Sequence, residues 1–126
     1  MKAPVEARFE ALPALVNADA GLVRRGRHLT TTFLVELGRT AYLVHVVEGR
    51  LARLDRGPFL MQAWSFAVRA PAEAWARFWE PVPVPGYHDL FAMTKAGVAR
   101  VEGDLQPFLA NLRYVKDVLA APRGPR

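Results

Sequence analysis

The stretch Val98-Ala99-Arg100-Val101-Glu102-Gly103-Asp104 constrains the fold more than any other part of the chain. A short strand stops at Gly103, and Asp104 is a suitable cap for a helix that begins at once. That helix places Leu105, Phe108, Leu109, Leu112, Val115 and Leu119 on one face. Lys116 lies beside the stripe, where its stem can run along apolar surface. Pro122 stops the helix and leaves 122–126 as an expected flexible tail.

Four strand-like runs precede this unit. Arg27 to Leu37 alternates, with Leu29, Phe33, Val35 and Leu37 on one face and His28, Thr30, Thr32 and Glu36 on the other. Gly38-Arg39 is a two-residue turn, and Thr40 to Val47 is apolar on both faces, as in a central strand. Glu48-Gly49 turns the chain into a third strand, Arg50 to Asp55. Gln62 to Arg69 reads as a fourth, with Trp64, Phe66 and Val68 on one face and Ala63, Ser65 and Ala67 on the other.

Helical signals flank the strands. Residues 4–16 suit a helix carrying Phe9, Leu12 and Val16, shortened or kinked by Pro13. Residues 17–26 read as a connection. Pro71 to Glu80 has Trp75, Phe78 and Trp79 at i, i+3, i+4, with Pro71 at the first helical position. The run Pro81-Val82-Pro83-Val84-Pro85-Gly86 breaks the chain into an extended loop. Asp89 to Ala96 is a second short helix, ended by Gly97. Strands first, then helices, then a strand and a helix predict an α+β class: a five-stranded, mostly antiparallel sheet covered on one face by helices. At 126 residues the chain predicts a single domain, 1–126, with its core over about 27–120.

The order of these elements, the meander Phe33–Leu37 followed by Tyr42–Arg50, and the Gly97–Asp104 unit together resemble the sterol carrier protein domain family over roughly residues 27–120. The resemblance implies a five-stranded sheet under helices, a lipid tunnel between them, and no metal site or catalytic residues to carry over. It also implies that such a domain can serve an enzyme, since domains of this family occur fused to enzymes. The chain departs from typical members at Ala70, where a polar cap is usual, in the Pro-rich loop 81–86, and in lacking a peroxisomal tail.

Charge and composition narrow the function classes. Apolar residues make up 52% of the chain, and the net charge is +5. Basic and acidic residues are mixed, with one dense spot at Arg24-Arg25-Gly26-Arg27. Nucleic-acid binding is not expected, because no basic stripe with interleaved aromatics is present. At most a transient contact with an anionic membrane surface is expected. Without Cys, disulfides, zinc–thiolate sites and Cys nucleophiles are excluded. No run approaches the roughly 20 apolar residues of a membrane span, and no signal-peptide core follows Lys2. A cytoplasmic location is the expectation.

Trp64, Phe66, Trp75, Phe78, Trp79, Phe91, Phe108 and Leu112 are the candidate ligand-binding residues, set against the ordinary alternative that they form a filled core. His88, in Tyr87-His88-Asp89 after Gly86, is a candidate head-group contact or base, set against simple capping of the following helix. Adjacent residues do not face each other, so a His88–Asp89 dyad is not expected. His45 reads as a sheet-face histidine with a satisfied ring. Ser65 has no nucleophile elbow. His28, His45 and His88 show no metal-ligand spacing, and no cofactor is expected. The leading reading is non-enzymatic binding or carriage of a lipid or other hydrophobic small molecule in an apolar cavity. The alternative is an accessory domain with a filled core that docks onto an enzyme. A third, an enzyme using Tyr87, His88 and Asp89 on a hydrophobic substrate, is not favoured.

Overall fold

A computed structural model describes residues 4–124. Three short helices, α1 (Val5–Glu10), α2 (Leu12–Asn17) and α3 (Ala20–Arg25), lead into strands β1 (Thr31–Leu37), β2 (Thr40–Val47), β3 (Arg50–Arg56) and β4 (Phe66–Ala70). Helices α4 (Ala72–Phe78) and α5 (Leu90–Lys95), strand β5 (Arg100–Gly103) and helices α6 (Leu105–Ala110) and α7 (Leu112–Ala120) follow, with a closing 3-10 turn Ala121–Arg123. Among the described residues no helix is long and apolar enough to cross a membrane.

The strands form one sheet in the order β3-β2-β1-β4-β5. β1 runs parallel to β4, with Leu34 opposite Ala67 and Leu37 opposite Ala70. The other three pairings are antiparallel. The class is α+β and the sheet is mixed but mostly antiparallel. The chain passes from β3 across β2 and β1 to add β4 on the far side of β1, and it enters β4 at the end where β1 begins, which makes that pair parallel.

Helices cover one face. Phe33, Val35 and Leu37 of β1, Tyr42, Val44 and Val46 of β2, and Phe66, Val68 and Ala70 of β4 join the buried residues of all the helices in one core. The outer face holds a small second cluster, Leu34, Leu43 and Ala67, packed under Phe59 and Trp64 of the β3–β4 loop. The β2–β3 turn has Glu48 at φ 49 and Gly49 at φ 82, the two left-handed residues of a type I′ hairpin. Gly49 is needed there for a second reason. A Cβ on it would sit 2.3 Å from the Val23 carbonyl oxygen.

The interruption expected from Pro13 falls at Ala11, because Pro13 has no N–H to continue the ladder. Elsewhere the structure departs from the sequence reading. The expected connection 17–26 contains α3, capped by Asp19 accepting from Leu22 N at 3.1 Å and anchored by buried Leu22. β1 starts at Thr31 rather than Arg27, although Leu29 is still buried and accepts from Gly49 N at 3.2 Å. The long last helix is split at Asn111, whose side-chain amide donates to the Pro107 carbonyl at 3.1 Å and takes the place of its own backbone N–H. Residue 122, the expected start of a flexible tail, lies in the 3-10 turn, where Arg123 donates to the Phe78 carbonyl at 2.6 and 2.9 Å. Residues 125–126 of that tail lie outside the described residues.

Candidate functional site

The aromatic residues singled out from the sequence fall into two groups and one outlier. The first group runs from the sheet to the surface. Phe33 stacks on Phe66 at 4.8 Å between centroids, Phe66 meets Phe108 at 5.3 Å, and Phe108 meets Phe91 edge-on at 6.1 Å. These are ordinary aromatic contact distances. The second group joins Phe78, Trp75 and Trp79 at 5.9 and 5.5 Å and continues to Phe9 and Tyr42 at 6.2 and 4.9 Å. Phe9 belongs here although it is distant in sequence from the other rings, a placement no local pattern announces. Trp64 is the outlier. β4 begins at Phe66, so the alternation that placed Trp64 with Phe66 ends before it, and Trp64 packs on the opposite face of the sheet.

The rings occupy the space between one another. Trp75 and Trp79 are 0% exposed, and Phe78 and Phe108 are 2% exposed. The indole nitrogens are committed as well: Trp75 donates to the Glu36 carbonyl at 3.0 Å and Trp79 to the Leu119 carbonyl at 2.7 Å. Three clefts of about 470, 390 and 280 Å³ lie elsewhere, the first between α2–α3 and α7, the second at the ends of β1 and β4, the third between α5 and α7. Of the candidate residues, only Phe78 and His88 line any of them.

The first ring group reaches solvent at α5 and α6. Phe108 is the one buried side chain of α6. On either side of it Leu105 and Leu109 are 39% and 57% exposed, next to Phe91 at 38%. Leu112, at the start of α7, is half-buried against the core. This end of the molecule therefore shows an apolar rim directly above the ring stack.

Beside the rim lies a polar cleft. Asp89 caps α5, accepting from Phe91 N at 3.1 Å, and holds Lys116 Nζ at 2.7 Å. The same ammonium stands 4.8 Å over the Phe91 ring. His88 is exposed and its Nδ1 accepts from Gly86 N at 3.3 Å, while Tyr87 packs beneath Arg77. Tyr87, His88 and Asp89 thus point to three different partners, and Asp89 acts as the cap.

His45 lies on the outer face of the sheet with both ring nitrogens engaged, by Thr32 Oγ1 at 3.0 Å and Asp55 Oδ2 at 2.9 Å. Partial burial alone would raise the Asp55 carboxyl, but the hydrogen bonds from His45 and Arg53 hold it below the ordinary carboxylate range. The chain of contacts ties β1, β2 and β3 together on a solvent-facing surface. Among the described residues no three His, Asp or Glu side chains gather as a metal site. Two tyrosines titrate abnormally high. Burial pushes Tyr114 up to about 12. Burial, with the Glu10 carboxylate at 2.6 Å, raises Tyr42 further.

No protein-family model and no curated protein matches the chain in sequence. Solved structures do match. Sterol carrier protein 2 superposes with a TM-score of 0.72 at 11% identity, over 95% of this chain and 96% of that one. The solution structure of a conserved hypothetical protein from Thermus thermophilus gives 0.66 at 12%, over 100% and 94%. UbiJ-SCP2, a ubiquinone synthesis protein, gives 0.60 at 17%, over 97% and 93%. With the strand order, the mixed sheet and the single helical layer already established, these superpositions identify the architecture: the chain has the sterol carrier protein 2 fold.

Proposed function

We propose that this protein binds a lipid or other long-chain hydrophobe without chemically changing it, and that the apolar part enters beneath α6. One observation carries the reading. α6 is held to the core by a single buried ring, Phe108, and exposes Leu105 and Leu109 beside Phe91 directly over the Phe33–Phe66–Phe108 stack. A helix that turns two leucines outward next to an exposed phenylalanine is suited to close over something apolar. The name of the sterol carrier protein neighbour agrees with this use of the fold.

The rings pack against one another, so a ligand must displace Phe108 rather than fill a vacant tunnel. Removing a buried phenylalanine from its contacts costs about 3–5 kcal/mol. Each buried methylene of a ligand returns about 0.8 kcal/mol, so roughly four to six methylenes offset the displacement before association costs are met. Short apolar molecules therefore bind poorly and long chains bind well.

Native mass spectrometry of gently purified protein, with uptake of a fluorescent fatty acid, tests the proposal. Bound hydrophobe or saturable uptake supports it. Apo protein alone, together with no uptake and no thermal shift with lipids, contradicts it.

The close ring packing also favours a second reading, an accessory domain whose filled core supports a surface that docks onto an enzyme. A neighbour that is a ubiquinone synthesis protein is in keeping with that role. A stable enzyme partner recovered from source cells, combined with failure of every lipid assay, would select it.

A further inference from the structure

The Arg24-Arg25-Gly26-Arg27 run has no role in holding an apolar tail, and the fold enlarges it. Gly26 is a crossing point. The Tyr114 ring of α7 covers it so closely that a Cβ there would meet Tyr114 Cδ1 at 2.5 Å, and a Cβ on Gly49 of the β2–β3 turn would lie 2.7 Å from the Gly26 carbonyl carbon. Arg113, the neighbour of Tyr114, is thereby carried to the arginines that flank Gly26. Arg25 and Arg113 meet at one oxygen of Asp117, which Arg113 approaches to 3.5 Å.

The balance of charge at this junction is positive. Among the described residues Asp117 is the one acid that pairs with any of Arg24, Arg25, Arg27 and Arg113. Arg24 and Arg27 are exposed, and Arg27 donates to the Arg24 carbonyl at 2.8 Å instead of to a carboxylate. Glu48, exposed on the nearby turn, pairs with none of the four, and the excess stays positive with Glu48 counted. The backbone beneath is fixed: Arg27 N donates to Arg24 O at 3.2 Å and Leu29 N to Gly26 O at 2.8 Å. The guanidinium groups therefore stand on a rigid base, and little ordering is needed when they meet an acid.

The surroundings discriminate between anionic partners. Docking on a bilayer joins basic side chains to large apolar ones that insert. The residues that flank these arginines along the chain include no exposed Leu, Ile, Phe or Trp. Binding a single-stranded nucleic acid uses exposed rings on which bases stack. The ring at this junction, Tyr114, is 1% exposed. Planar guanidinium groups held on a firm surface match carboxylates two bonds at a time, and Arg is enriched at protein interfaces where Lys is depleted.

We propose that the junction of α3, the β2–β3 turn and the start of α7 is a docking surface for an acidic protein segment, one that presents several Asp or Glu side chains together. The proposal rests on the accessory-domain reading above and deepens it by naming the docking face and the charge of the partner. Opposite potentials steer the encounter and fix its register, so binding weakens as salt rises.

The test titrates hexaglutamate into the full chain by calorimetry, beside phosphatidylglycerol–phosphatidylcholine vesicles and a single-stranded oligonucleotide. The variants are Arg24→Glu/Arg27→Glu and, as an equal change of net charge elsewhere, Arg39→Glu/Arg100→Glu, both checked for folding by circular dichroism. Hexaglutamate should bind the unaltered protein in a salt-dependent way, weaken about tenfold or more in the first variant, and change less than about twofold in the second. No binding, or an equal loss in both variants, overturns the docking surface. Vesicles or oligonucleotide held more tightly than the peptide, and released by the first variant alone, reassign the arginines to a membrane or a nucleic acid and overturn it as well. Affinity capture from source cells separates this proposal from the reading beneath it. An enzyme retained equally by both variants overturns the arginine face and leaves the accessory role standing, whereas no partner retained by any form removes both.

Discussion

The Tyr114 hydroxyl of α7 donates a 2.6 Å hydrogen bond to the Gly49 carbonyl at the β2–β3 turn. Its ring lies against Gly26, where an added Cβ would meet Tyr114 Cε1 at 2.3 Å. One side chain thereby fixes the C-terminal helix to a hairpin turn and to the end of α3. Tyr114→Phe keeps the ring and removes only the donor, leaving the Gly49 carbonyl without its partner. Urea unfolding should show a loss of about 1–3 kcal/mol with an unchanged m-value.

Titration of the same hydroxyl gives a pH dependence. Its folded-state pKa of about 12 lies above the ordinary tyrosine value of 10.0, because burial disfavours the phenolate. A group raised on folding contributes stability that is fully present below its unfolded pKa and is lost as pH rises through its folded pKa. Stability should therefore fall between about pH 10 and pH 12. Comparing thermal melts of the unaltered protein and Tyr114→Phe across that window should show a shallower fall in the variant.

Two left-handed glycines separate backbone strain from crowding. Gly97 has φ +78 with nothing within 4 Å of where a methyl group would sit, whereas Gly49 has φ +82 and the Val23 oxygen at 2.3 Å. Gly97→Ala should cost about 1–2 kcal/mol, the conformational penalty alone. Gly49→Ala should cost about 1–3 kcal/mol more through overpacking against backbone that cannot yield. Equal losses in denaturant melts would contradict the tight approach of this turn to α3.

At the rim, Leu109→Ser removes an apolar side chain that is 57% exposed. Stability should change by no more than about 0.5 kcal/mol, as for an ordinary surface substitution. Fluorescent fatty-acid uptake should weaken several-fold, because the lost side chain would cover the bound tail. A chain-length series adds a second check: each added pair of methylenes should tighten binding by about tenfold until the space beneath α6 is full.

The sequence made the scaffold legible where local chemistry decides it. Glu48-Gly49 announces its hairpin, and Asp104 announces the start of α6, accepting from Gln106 N at 3.1 Å. Pro13 announces the break after α1. Long-range packing was not legible. Nothing near Trp64 shows that β4 begins two residues later and turns it to the outer face, and nothing near Phe9 shows that it joins Trp79. Nor does an amphipathic stripe reveal whether its rings enclose a space or fill it. Arg113 and Lys116 read as the polar flank of a helix until α5 is folded against them.

The most direct test of tail entry beneath α6 is a palmitate titration followed by aromatic NMR. Saturable shifts of Phe108, Phe66 and Phe91, with the Trp75 and Trp79 rings unmoved, are the predicted result. Tight binding that leaves the Phe108 and Phe66 resonances unchanged would contradict the account, because the ligand would then lie somewhere other than under that helix.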